Sequence, residues 1–196
     1  MTRKQLVFVL VMLMFFARES AAEDLFVGGL LGGTFAAATG FVDLEQGVTA
    51  HKLAVSASAG WLSKGWLGLE GEVTFVPGLF SGDAGLVASS LGVGVNGNVL
   101  ISPQDHDSRI RVYGTAGVGA ISVQMRDVAD VFTVNKTLPA INGGGGLTAR
   151  VNSRLSIRGD VRYFRSAFRD PPPDRVAIGS WFVNFWRGSA GVVVRF

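Results

Sequence analysis

The stretch Gly188-Ser-Ala-Gly-Val-Val-Val-Arg-Phe196 decides the fold. Counted in twos from its last residue, Phe196, Val194, Val192 and Ala190 share one face, while Arg195 and Val193 lie on the other. This period of two predicts a β-strand. One face of the strand is apolar and ends on an aromatic residue. We therefore expect the strand to close a membrane barrel, with Phe196 in the aromatic girdle at the bilayer edge.

The amino-terminal segment has the pattern of a secretory signal peptide. Basic residues precede the apolar run Leu6–Phe16, and small residues follow at Ser20 and Ala22. The apolar run is too short to span a bilayer as a helix. We predict cleavage after Ala22, which leaves residues 23–196 as one barrel domain. A retained amino-terminal anchor is the alternative.

Composition narrows the function classes. Removal of residues 1–22, with Arg3, Lys4, Arg18 and Glu19, reduces 18 basic and 15 acidic residues to 15 and 14. The mature chain then has a net charge of +1, so we expect no nucleic-acid partner. It has no Cys and only two His, which argues against a metal site, and we expect no cofactor. Its 27 glycines exceed the usual share of about 7% and suit the glycine kinks of a curved barrel.

An uncharged stretch at Leu25–Val42 permits two interpretations. Its glycines match the G-x-x-x-G pattern of paired membrane helices. Five glycines, however, make a poor solitary helix. We therefore predict a first strand over Leu25–Ala37.

Seven further strands complete a predicted eight-stranded antiparallel up-and-down transmembrane barrel. They are expected at His51–Leu62, Trp66–Phe75, Leu86–Ser102, Ile110–Val123, Leu138–Val151, Leu155–Phe164 and Trp181–Phe196. Short turns at 63–65, 102–109 and 152–154 alternate with longer loops at 38–50, 76–85, 124–137 and 165–180. This asymmetry predicts short turns and both termini on the periplasmic side, and long loops outside the cell.

Three segments carry a resemblance to a known family. They are Arg111-Val-Tyr-Gly-Thr-Ala-Gly-Val-Gly119, the glycine run that continues into Leu147, and Leu155-Ser-Ile-Arg-Gly-Asp-Val-Arg-Tyr163. Together with the Phe196 terminus they resemble the outer membrane protein β-barrel domain group, with small OmpA/OmpX-type barrels. The resemblance implies location in the bacterial outer membrane. It also implies periplasmic chaperones and the barrel-assembly machinery as partners during biogenesis.

Charged residues alternate with apolar ones on several predicted strands, so they should face the lumen. They are Glu70, Glu72, Arg111, Arg158, Asp160, Arg162, Arg187 and Arg195. An eight-stranded barrel is just wide enough for side chains to fill it, and charges inside it must be paired. We expect a structural charge network. The alternative is a gate whose pairs rearrange to pass small ions.

Aromatic and basic residues suggest contacts with the outer membrane itself. Trp61, Trp66 and Phe196 fall near strand ends and are predicted interface anchors, as are Trp181 and Trp186. In the last predicted loop, Arg165, Arg169 and Arg175 could contact lipopolysaccharide phosphates. They could equally be solvated loop charges.

These patterns favour a non-enzymatic structural or surface role, in envelope integrity or in interactions of the loops. A narrow porin-like channel for small solutes is the first alternative. A lipid A-modifying enzyme is less favoured. His106-Asp-Ser108 resembles the His and Ser of lipid A deacylases, but it falls in a predicted periplasmic turn rich in turn-forming residues.

Overall fold

A computed structural model describes residues 24–39, 52–63, 66–78, 87–103, 108–127, 133–167 and 183–196. The predicted signal peptide, residues 1–22, lies outside these ranges. Within them, no helix is long and apolar enough to span a membrane.

Eight antiparallel strands form a closed barrel in the order β1 to β8, with β8 pairing back to β1. Each strand pairs with its neighbour in sequence, as an up-and-down barrel requires. The bounds are β1 Asp24–Thr39, β2 Leu53–Leu62, β3 Leu67–Pro77, β4 Val87–Ile101, β5 Ile110–Asp127, β6 Thr133–Arg150, β7 Leu155–Ser166 and β8 Val183–Arg195. The predicted fold class is confirmed. β1, β3 and β7 each end two residues later than predicted.

The predicted loop 124–137 is largely wrong, because β5 continues to Asp127 and β6 begins at Thr133. The outward face of this extension is polar: Thr137 Oγ1 donates to Ser122 Oγ at 3.3 Å. A strand that continues beyond the lipid no longer needs an apolar outer face. The alternation that identifies the other strands therefore disappears here.

Buried and exposed residues alternate along the strands, but here the polar residues are buried and the apolar residues are exposed, which is the opposite of a soluble barrel. On β3, Leu69 is 55% exposed, whereas Glu70 next to it is 3% exposed. Apolar side chains cover the outside and polar ones fill the inside, because the solvent of the outer face is hydrocarbon. The inward and outward faces predicted for β3 and β7 are confirmed.

Aromatic residues bound the apolar outer face at both ends. On β8, Trp186 lies near the long connections, and Phe196 follows the strand at the short turns. Phe196 follows Trp186 by ten residues. With a rise of about 3.3 Å per residue and a strand tilt of about 40°, this interval spans about 25 Å along the barrel axis. The interval from Trp66, just before β3, to Phe75 on β3 gives about 23 Å with the same rise and tilt. Both match the apolar band of about 25 Å in outer-membrane barrels.

Inward and outward glycines have different roles at the seam between β1 and β8. A Cβ on inward Gly191 would lie 2.6 Å from Leu30 Cα, so the close approach of the two strands requires glycine. A Cβ on outward Gly29 would meet no atom within 4 Å. Part of the glycine content thus permits the tight curvature of the wall, as expected from composition.

Candidate functional site

The barrel lumen is the candidate site, and two strands supply five of its central charges. Glu70 and Glu72 project from β3, while Arg158, Asp160 and Arg162 project from β7. Spacing by two places each set on the inner face of its strand. All five side chains are at most 4% exposed.

Glu70 joins β3 to β7 across the lumen. One carboxylate oxygen accepts from Arg162 Nη2 at 2.7 Å and from Asn98 Nδ2 at 3.1 Å. The other oxygen accepts from Arg158 Nη1. Glu70 therefore binds two arginines that lie four residues apart on the inner face of the same strand. A third arginine, Arg187, lies with Glu72.

Asp160 lies between the two β7 arginines and binds both. Its Oδ2 accepts from Arg158 Nη2 at 3.2 Å, Arg162 Nη2 at 3.0 Å and the Tyr113 hydroxyl at 3.1 Å. Its Oδ1 accepts from Ser189 Oγ at 2.7 Å. Charge-assisted hydrogen bonds of this kind are stronger than neutral ones.

Glu72 and Arg187 form a two-pronged ion pair. Arg187 Nη1 donates to Glu72 Oε1 at 2.8 Å, and Nη2 donates to Oε2 at 2.9 Å. Arg187 Nη1 also contacts Ser56 Oγ at 3.0 Å, and its Cζ lies 5.0 Å from the Phe164 ring centroid. Arg162 Nη1 lies 3.4 Å from Glu72 and links this pair to the rest of the network.

Three carboxylates and three arginines make up this central network, so its charges balance. Every carboxylate oxygen of Glu70, Glu72 and Asp160 has a donor or a cation within reach. Groups held in this way stabilise one arrangement of side chains. They leave no carboxylate oxygen directed at open space for acid–base chemistry.

Arg111 lies at a different level of the lumen, towards the short turns. Its Nε donates to Ser102 Oγ at 3.3 Å, and it is 3% exposed. The structure confirms its inward direction, and Arg111 and Arg195 line the same cavity, which Glu72 does not line. Its part in the charge network stays a prediction.

The other end of the lumen, towards the long connections, is filled by apolar side chains. This apolar cluster comprises Ala54, Val76, Ile121, Val123, Leu138, Ala140, Phe164, Val183 and Phe185. The rings of Phe164 and Phe185 stack with centroids 5.1 Å apart. Sequence analysis missed the cluster because the inner face of the barrel was expected to be polar, although every member except Val76 lies within a predicted strand. The signal that could have revealed the cluster was the alternation of its members with polar residues along the strands.

Three of the predicted interface anchors, Trp61, Trp66 and Phe196, lie at the short-turn end. Trp66 and Phe196 are 59% and 77% exposed, and Trp61 is half-buried on the outer face. Their anchoring role stays a prediction. A second aromatic group near the long connections joins Phe35, Trp186 and Tyr163, with ring centroids 6.4 Å and 5.1 Å apart.

Other predicted sites lie mainly outside the described residues. These include both histidines, Trp181, Arg169 and Arg175, whereas Arg165 is described and exposed. In the described ranges, no three acidic or histidine side chains cluster as metal ligands. The expectation of no metal and no cofactor stays a prediction.

The sequence matches the model of one protein family. The outer membrane protein β-barrel domain family aligns with residues 8–196. The chain belongs to this family. A search of the curated proteins found no match. Family and fold together establish that this is an outer-membrane barrel and that the cell outer membrane is its location.

Solved structures with the same fold are also outer-membrane barrels. Neisserial surface protein A has a TM-score of 0.65 at 14% identity, over 89% of this chain and 99% of that one. OprG from Pseudomonas aeruginosa has a TM-score of 0.60 at 14% identity, over 89% and 96%. Ail, the attachment invasion locus protein of Yersinia pestis, has a TM-score of 0.53 at 13% identity, over 89% and 97%. At these identities the likeness shows the shared fold.

Proposed function

We propose that this outer-membrane barrel is a non-enzymatic structural protein that presents its long connections at the cell surface. One observation carries the proposal: packed side chains fill successive levels of the lumen. The balanced charge network occupies the centre, and the apolar cluster lies between it and the long connections. A barrel filled in this way is a rigid support.

The role of such a support is envelope integrity or interaction through the loops. Paired charges and stacked rings resist rearrangement, because each partner is buried and bound to several others. The connections after β1, β3, β5 and β7 then have fixed anchoring points. Ail, which shares the fold, is described as an attachment invasion locus protein, and attachment is one form that loop interactions could take here. Outer-membrane lipid, including lipopolysaccharide, is the partner of the apolar band and its aromatic borders.

The apolar outer face also bears on how the protein reaches the membrane. A chain with an apolar outer face must be kept from aggregation before it reaches the membrane. We therefore propose periplasmic chaperones and the barrel-assembly machinery as transient partners. Crosslinking during export would capture these contacts.

A deletion strain tests the structural role. Loss of the protein should increase the sensitivity of the source bacterium to detergent, and the wild-type gene should restore resistance. A second gene, in which the segments 40–51 and 168–182 are shortened, distinguishes the contribution of the barrel from that of the loops. Restoration by this variant assigns the role to the barrel, whereas failure by a folded, surface-located variant assigns it to the loops. Unchanged detergent sensitivity and unchanged adhesion in the deletion strain would contradict the proposal.

A narrow channel is the second candidate, and one observation favours it. Glu70 binds both Arg158 and Arg162, so an exchange of partners could open a path along β7. This candidate requires that Glu70→Ala or Arg158→Ala alters ion flow. A lipid A-modifying enzyme remains the less favoured alternative, and unchanged lipid A mass on expression would remove it.

A further inference from the structure

An open groove of about 430 Å³ lies in the barrel wall where β2, β1 and β8 run side by side, towards the long connections. Gly33, Phe35, Leu53 and Gly188 are among the residues that line it. Each of the four occupies an outward position in the alternation of its strand. The groove therefore opens on the lipid-facing surface of the barrel.

Two glycines leave the floor of this groove open. Gly33 and Gly188 are paired across the seam between β1 and β8. For a Cβ on Gly33, the nearest atom of another described segment would be the Lys52 carbonyl oxygen, at 3.7 Å. For a Cβ on Gly188 it would be Phe35 Cε1, at 3.4 Å. The membrane side of both residues is thus free for a ligand, and an apolar chain suits it because the surroundings are hydrocarbon.

An aromatic row borders the groove on the side of the long connections. Phe35 on β1 pairs with Trp186 on β8, and Trp186 pairs with Tyr163 on β7. Aromatic girdles of this kind mark the boundary between hydrocarbon and headgroups in outer-membrane barrels. Gly188 lies two residues nearer the short turns than Trp186, so the groove begins on the hydrocarbon side of that boundary.

A cation lies on the headgroup side of the same boundary. Arg165 is exposed and follows Tyr163 by two residues on the outer face of β7. It lies four residues beyond Val161, the β7 partner of Gly188, which corresponds to about 13 Å along the strand. A ligand that places an anion at Arg165 can therefore extend an apolar chain into the groove. Guanidinium groups match the oxygen edges of phosphates well.

We propose that this groove, the lipid groove, holds an acyl chain of lipid A, with a lipid A phosphate at Arg165. Long connections face the cell exterior in outer-membrane barrels. The leaflet on that side is made of lipopolysaccharide, whose lipid A carries phosphates above its acyl chains. The lipid groove is continuous with the lipid-facing surface of the barrel, and its order of cation, aromatic row and open floor follows the order of the parts of lipid A.

Titration of the refolded mature protein with purified lipid A in maltoside micelles tests the lipid groove, and native mass spectrometry counts the lipids bound to each barrel. Wild-type protein should retain one lipid A in a saturable manner. Phosphatidylglycerol, which offers a phosphate and acyl chains from a phospholipid, should bind more weakly. Absence of saturable lipid A binding would overturn the proposal, and equal binding of the two lipids would assign the groove to phospholipid instead.

A pair of arginine variants tests the headgroup end. Arg165→Gln should weaken lipid A binding about fivefold, because a single basic residue near a membrane surface has an effect of that size. Arg154→Gln is the matched control, since Arg154 is exposed at the short-turn end. It should leave the affinity unchanged, and an equal loss in both variants would refute the assignment of the phosphate to Arg165.

Glycine variants test the acyl-chain end. Gly188→Leu fills the groove and should weaken lipid A binding about tenfold, as expected for a clash with a closely packed chain. Gly71→Leu is the matched control, because Gly71 faces outwards on β3 and its Cβ would have only the Ala59 carbonyl oxygen within 4 Å, at 3.8 Å. Equal losses in the two variants would contradict the groove. If Gly188→Leu does not fold, as judged by gel mobility before and after boiling, Gly33→Leu fills the same space and should have the same effect.

The lipid groove rests on the proposed function, in which lipopolysaccharide is a partner, but the two can fail separately. A deletion strain that is sensitive to detergent, together with a purified barrel that binds no lipid A, would remove the groove and keep the structural role. Saturable lipid A binding that Arg165→Gln and Gly188→Leu weaken, together with an unchanged deletion strain, would keep the groove and remove that role.

Discussion

Removal of the Glu70 carboxylate is the sharpest perturbation of the charge network. Glu70→Ala leaves Arg158 and Arg162 buried without their shared partner. Removal of one member of a buried ion pair costs about 3–5 kcal/mol. Arg162 keeps Asp160 at 3.0 Å and Glu72 at 3.4 Å, so the lower end of that range applies. We expect a loss of about 3 kcal/mol, or roughly 100-fold in the unfolding equilibrium.

Urea unfolding of the protein in lipid vesicles measures this loss. Tryptophan fluorescence reports the transition, and far-ultraviolet circular dichroism confirms that strands are lost. The double variant Glu70→Gln/Arg158→Gln is the control, because it removes one charge of each sign and leaves the network balanced. It should be destabilised by less than the two single variants added together. A Glu70→Ala protein within about 0.5 kcal/mol of wild type would refute the reasoning, since surface substitutions alone have effects of that size.

The remaining predictions concern the wall, the apolar band and the apolar cluster. Gly191→Val should reduce the folded fraction seen as heat-modifiable gel mobility, whereas Gly29→Val, on the open outer face of the same seam, should not. Val192→Arg places a charge within the apolar band and should lower the free energy of unfolding in vesicles by about 2–4 kcal/mol. Val151→Arg, in the turn before β7, should lower it by about 0–1 kcal/mol. Equal losses in the two variants would argue against the assigned position of the band. Phe164→Ala should destabilise by about 3–5 kcal/mol in urea unfolding, and a loss below 1 kcal/mol would show that the cluster is loosely packed.

The directions of the charged side chains were predictable from local pattern. A carboxylate at Glu70 between apolar neighbours in a strand has one favourable side, so its inward position follows from period two alone. The same reasoning covers Arg158 and Arg162 on β7. Each of these predictions uses residues adjacent in the chain.

The partners of those charges were not predictable in the same way. Glu70 meets Arg158 and Arg162 across the lumen, 88 and 92 positions along the chain. Which residues meet there depends on the register of all eight strands and on the stagger of the closed barrel. Small errors at strand ends change it, and the ends of β5 and β6 were mispredicted. The apolar cluster was missed for a different reason, because the inner face of the barrel was expected to be polar.

Single-channel recording in a planar bilayer tests the central claim that packed side chains close the lumen. The refolded mature protein is inserted, with folding confirmed by its gel mobility before and after boiling, and Glu70→Ala is recorded beside it. The wild-type protein should be silent, because the charge network and the apolar cluster close its lumen. Discrete openings of the wild-type protein that change in Glu70→Ala would contradict it and would make the charge network a gate.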